Sequence, residues 1–153
     1  LAHVRVKIAP YPFTTLKPNL GFIQTEDYSR IFIADIPGII EGAHLNKGLG
    51  FEFLRHIERT KLLIFVLDSS GIDGRNPSDD FKILLEEMNK YNPEMLKRPY
   101  LVALNKIDTE EAVEHLANFY KEFHLPKNLV FEISAQDKTG LKELRTAIEA
   151  LVD

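Results

Sequence analysis

The densest apolar stretch of the chain is residues 62–67, Leu-Leu-Ile-Phe-Val-Leu, stopped by Asp68-Ser69-Ser70-Gly71. A continuous aliphatic run of this length suits a strand covered on both faces of a parallel sheet. Residues 100–105 and 129–134 predict two more strands. Between them the apolar period lengthens to that of a helix. Residues 79–91 set Phe81, Leu84, Leu85 and Met88 on one face, behind the helix-start signal Asn76-Pro77-Ser78. Residues 110–123 predict a helix with Val113, Leu116, Ala117 and Tyr120 inward, and residues 141–151 a closing helix. Upstream, two short apolar segments at residues 19–24 and 30–35 flank the polar stretch 25–29, the pattern of an antiparallel hairpin. Residues 49–59 carry Leu49, Phe53, Leu54 and Ile57 at helical spacing. Strands alternating with helices imply βαβ crossovers, hence an α/β fold with a mainly parallel sheet.

Composition narrows the class. The 153 residues suit one domain, and 44% hydrophobic with 27% charged residues describes a folded globule rather than a disordered chain. Nineteen Lys and Arg against 23 Asp and Glu give a net charge of −4, a poor balance for holding nucleic acid by bulk charge. There is no cysteine, which excludes disulfides, thiolate metal sites and cysteine nucleophiles. No apolar run approaches the roughly 20 residues of a membrane span. His3, His44, His56, His115 and His124 are scattered, and no pair has metal-ligand spacing on one element. Glu86-Glu87, Glu110-Glu111 and Glu143 read as solvated helix faces.

In open α/β sheets ligands sit beyond the carboxyl ends of the strands. Three predicted strands end there in polar clusters: Asp35-Ile36-Pro37-Gly38, Asn105-Lys106-Ile107-Asp108 and Ser134-Ala135-Gln136. A carboxylate at Asp108 can accept from both N1–H and the 2-amino group of guanine, a donor pair that adenine lacks. The apolar stem of Lys106 can cover a purine face, and the Asn105 amide can tie neighbouring loops. A carboxylate at Asp35 can hold Mg²⁺ through water, and Gly38, without a Cβ, lets its N–H approach a terminal phosphate. Backbone N–H groups at Ser134-Ala135-Gln136 can meet the guanine O6.

Together the three clusters resemble the G3, G4 and G5 elements of translation-factor-class GTP-binding proteins. The segment Tyr11-Pro12-Phe13-Thr14-Thr15-Leu16 narrows this, with Ile39-Ile40-Glu41-Gly42-Ala43, Gly48-Leu49-Gly50 and Leu54-Arg55-His56-Ile57-Glu58-Arg59. These closely resemble the Obg family of GTPases, with the developmentally regulated (DRG) branch as the alternative. The resemblance implies a P-loop NTPase-type three-layer sandwich, residues 1–153 forming an Obg-type GTPase domain. It implies that Thr15 ligates Mg²⁺ directly and Asp35 through water, with Phe13 to Lys17 looping over the nucleotide and Gly38 sensing the γ-phosphate. It further implies GTP hydrolysis to GDP and phosphate in a cytoplasmic switch for assembly of the large ribosomal subunit, with rRNA and protein contacts.

Two departures qualify this. The chain holds no G-x-x-x-x-G-K-[ST] loop and no Gly-Lys dipeptide, so the phosphate loop and the first, central strand are expected to be missing and the domain N-terminally incomplete. Should the loop be truly absent, the alternative is a catalytically inert interaction module. Ile39 follows Gly38 where many small GTPases carry a water-positioning glutamine, which implies slow hydrolysis.

Overall fold

The structure is a computed structural model and describes residues 7–8, 19–34 and 60–152. Its first sheet is antiparallel, in the order β1 (Lys7–Ile8), β2 (Asn19–Gln24), β3 (Arg30–Ala34), with Phe22 opposite Phe32. The β2–β3 turn is closed by Asp27, whose carboxylate accepts from the Ser29 hydroxyl at 2.7 Å and from Thr25. Those hydroxyl donors hold the Asp27 carboxyl well below the usual carboxylate range. The hairpin thus lies where the polar stretch predicts it.

The second sheet is parallel, in the order β4 (Leu63–Asp68), β5 (Tyr100–Asn105), β6 (Val130–Glu132). Among the described residues three α-helices accompany it: α1 (Pro77–Tyr91), α2 (Ala112–Glu122) and α3 (Leu141–Val152). Helix α1 begins where the sequence signals it. The Asn76 side chain accepts from Asp79 N at 2.9 Å, and Pro77 occupies the first turn, where its missing N–H costs nothing.

Period-two alternation along β5 builds two cores. Val102 and Leu104 meet Phe81 and Met88 of α1 and Phe119 of α2, whereas Leu101 and Ala103 meet Leu144 and Ile148 of α3. Helices therefore lie on both faces of the parallel sheet, giving three layers. Burying an aromatic such as Phe81 or Phe119 stabilises the fold by about 1.5–3 kcal/mol. Among the described residues no ladder joins β3 to β4. The hairpin is held instead through Ile23, buried in the α3-side core, and through Arg145, whose guanidinium donates to Gln24 O at 2.6 Å.

Three sequence expectations need correction. Strand β5 is buried on both faces, but β4 is not: Phe65 and Leu67 are buried while Val66 is 62% exposed. The inward face of α2 is Ala112, Leu116 and Phe119, continued by Phe123; Val113, Ala117 and Tyr120 face outward. Tyr120 donates its hydroxyl to Glu132 Oε2 at 2.8 Å; burial, then that carboxylate, push its phenol pKa up. On α1, Glu86 is solvated but Glu87 is buried, because its i+3 and i+4 spacing from Leu84 and Ile83 places it on the helix's covered flank. The helix expected over residues 49–59 lies outside the described residues.

Candidate functional site

Parallel pairing sets Asp68 and Asn105 side by side at the carboxyl ends of β4 and β5. Immediately after Asn105 the chain reverses. Lys106 has φ of +66°, a left-handed conformation uncommon outside glycine. Three contacts hold it there. Thr109 donates to Lys106 O from its backbone N at 3.2 Å and its hydroxyl at 2.8 Å, and Ile107 N donates to Ile133 O at 3.3 Å. The reversal returns the Lys106 side chain across the strand ends, where Nζ donates to Asp68 Oδ2 at 2.8 Å.

A second loop, after β6, folds against the first. Ser134 N donates to Thr139 O at 3.0 Å, and the return is made through Lys138 and Gly140, both at positive φ. Only glycine fits the last position: a Cβ there would lie 2.4 Å from Glu132 O.

Besides the Ile107–Ile133 backbone bond, two side-chain contacts join the loops. Asn105 Oδ1 accepts from Ala135 N at 3.0 Å, and Ser134 Oγ donates to Asp108 Oδ1 at 2.9 Å. Ser134 is buried, and its oxygen also accepts from Asp137 N at 3.1 Å. Asp108 is exposed, and Ser134 is its one hydrogen-bond partner among the described residues. A fixed carboxylate thus faces solvent with acceptor capacity to spare, suited to a paired N–H donor. The Ala135 N–H is already engaged by Asn105, so a base arriving there shares that donor. Gln136 is exposed at the loop's tip.

The structure therefore brings together Asn105, Lys106, Ile107, Asp108, Ser134, Ala135 and Gln136. Phe13, Thr14, Thr15, Leu16, Lys17, Asp35, Ile36, Pro37 and Gly38 lie outside the described residues. Both expected Mg²⁺ ligands, Thr15 and Asp35, are in that second group. As a donor set, a hydroxyl and a carboxylate are hard oxygen ligands of the kind Mg²⁺ takes. The described residues contain no group of three or more His, Asp or Glu placed to hold a metal.

Sequence reading missed Asp68. Its signal was a carboxylate ending an aliphatic run, but its partnership with Lys106 depends on the pairing of two strands. Burial raises its pKa, yet the hydrogen bonds from Lys106 and Ser70 outweigh that and hold the carboxyl below its ordinary 3.8.

Comparison with known proteins decides the family. Residues 1–106 match the family model described as 50S ribosome-binding GTPase. A protein named GTPase Obg from Protochlamydia amoebophila is 66% identical over 144 residues, covering 94% of this chain and 43% of that protein. The GTPase Obg of Akkermansia muciniphila is 47% identical over 152 residues, covering 99% of this chain and 43% of its own length. The chain belongs to the 50S ribosome-binding GTPases, in their Obg branch. This Obg-family chain spans less than half the length of those two relatives. Among solved structures, the G domain of the T. maritima FeoB iron transporter superposes with a TM-score of 0.71 at 24% identity, covering all of this chain and 87% of that one. An S. thermophilus NFeoB mutant solved with GDP superposes with a TM-score of 0.68 at 16% identity, covering 95% and 53%. These likenesses show the GTPase fold for the Obg-family chain, three-layered as the family resemblance implies.

Proposed function

We propose that this Obg-family domain binds guanine nucleotide and hydrolyses GTP to GDP and phosphate. The observation that carries this reading is the pinning of Asn105 and Asp108 to the Ser134–Ala135 turn. It fixes one exposed carboxylate at the carboxyl edge of a parallel sheet, where a base-reading group belongs. Asp108 accepts the guanine N1–H and 2-amino donors, the Lys106 stem covers one purine face, and Asn105 holds the two loops in register. Residues Phe13, Thr14, Thr15, Leu16 and Lys17 close over the nucleotide, and the Gly38 N–H meets the γ-phosphate.

In the reaction a water oxygen forms a bond to the γ-phosphorus as the bridge to the β-phosphate breaks; the water's proton leaves on inorganic phosphate. Catalysis of this kind is positioning and charge stabilisation. Thr15 would hold Mg²⁺ directly and Asp35 through water; the ion neutralises phosphate charge when bound. Ile39, following Gly38, has no polar atom to orient the water, so turnover is slow, as suits a switch rather than a metabolic enzyme. The family description, 50S ribosome-binding GTPase, supports the large ribosomal subunit as partner and, with it, action in the cytoplasm. Among the described residues no helix is long and apolar enough to cross a membrane.

Calorimetric titration with GTP, GDP and ATP, followed by phosphate release under single-turnover conditions, tests the reading. Saturable binding of GTP and GDP, none of ATP, and slow release of phosphate are expected. Failure to bind GDP overturns the reading. Binding without any phosphate release removes the enzymatic half and leaves an interaction module.

A further inference from the structure

We propose that Asp68 is a positioning residue for the guanine site: by anchoring Lys106 it sets how long guanine nucleotide stays bound. This rests on the base-reading role proposed for Lys106 and Asp108. The Lys106 side chain is fixed at both ends. At its root the backbone is left-handed and its carbonyl takes two bonds from Thr109; at its tip Nζ meets Asp68 Oδ2 at 2.8 Å. The methylene stem between these ends forms a preformed apolar strip, which need not be ordered when a purine arrives.

The anchor itself is held. Asp68 Oδ1 accepts from Ser70 N at 2.8 Å and Ser70 Oγ at 2.6 Å, which orients the carboxylate and leaves Oδ2 for the lysine. The loop that follows is backed by α2: His115 donates from Nδ1 to Ser69 O at 2.9 Å. It packs so closely on Gly71 that a Cβ there would sit 2.3 Å from the imidazole Cε1. The depressed Asp68 pKa agrees with a carboxylate kept charged toward Lys106.

The chemistry of the two oxygens supplies the test. Asp68→Asn keeps an Oδ1 acceptor for Ser70 but loses the charge toward Lys106, separating the loop's architecture from the ion pair. Lys106→Met keeps an apolar stem, removes the ammonium and leaves β4 untouched, so it reports even if the β4 variant fails to fold. Release of GDP carrying a fluorescent ribose label should be about fivefold faster for each variant. The double variant should release no faster than Lys106→Met alone, because both changes break one interaction. Native release from Asp68→Asn and Lys106→Met, or losses that multiply in the double variant, overturns the proposal. If Asp108→Asn accelerates release and Asp68→Asn does not, the base site stands and only this inference falls. A native protein that retains no GDP overturns both.

Discussion

Asn105 Oδ1 accepts a hydrogen bond from the backbone N–H of Ala135 at 3.0 Å, so one side chain spans two loops separated by a whole helix. Asn105→Ala leaves that N–H without its partner and frees the Ser134–Gln136 turn from β5. The cost is about 1–2 kcal/mol, and GDP affinity measured by titration should fall roughly tenfold. Thermal stability should fall with it, since the bond exists before any ligand arrives.

Asp108→Asn separates scaffold from readout. The Ser134 hydroxyl can donate to an amide oxygen as it does to the carboxylate, so the loop keeps its shape. The charged acceptor for the guanine donors is lost, at a cost on the order of 2–4 kcal/mol. Binding should shift toward xanthosine diphosphate, whose 2-oxo group needs a donor where guanine supplies one. Competition between GDP and xanthosine diphosphate for the variant measures the shift. Unchanged GDP preference removes Asp108 from the base site.

Gly140 and Gly74 form a controlled pair. Both have positive φ, +74° and +70°, but a Cβ at Gly140 would strike Glu132 O at 2.4 Å, whereas nothing lies within 4 Å at Gly74. Gly74→Ala should cost about 1 kcal/mol, the penalty of a left-handed backbone. Gly140→Ala adds a backbone clash and should cost about 2 kcal/mol more. Urea unfolding of the two variants isolates the steric part as their difference.

Acid should loosen the Asp68 anchor. Its folded pKa is depressed, so it contributes stability above its ordinary value of 3.8, lost as pH falls through the lower folded value. The group is 39% exposed, so the contribution is a fraction of that of a buried pair. Thermal melts of the native chain and Asp68→Asn should differ at about pH 6 and converge once the pH falls below the depressed folded value. A gap that persists into strong acid assigns the difference to the amide rather than to the charge.

Legibility in the sequence followed how local the information was. Strand β5 is visible to the residue, because a run covered on both faces needs no phase. Helix α2 is visible in extent but not in phase. Its sequence Ala-Val-Glu-His-Leu-Ala-Asn-Phe-Tyr carries apolar residues around most of its circumference, which offers two inward stripes. The sheet selects the one with Phe119 and Phe123, which fills the space beside Phe81. Asn105, Asp108 and Ser134 stand out because they belong to polar clusters at the ends of apolar strands. Asp68 ends a strand too, yet its partner becomes apparent only when β4 and β5 are in register, and that register is tertiary.

The residues around Asn105 grow from the best-protected strand of the described fold. Leu101, Val102, Ala103 and Leu104 are wholly inaccessible to solvent, with paired strands on either side. Amides in such a strand exchange with solvent only when the whole domain opens. Asn105 and the lysine beside it stand at the end of that strand. The strand that carries the proposed base-reading residues thus stays closed for as long as the domain is folded.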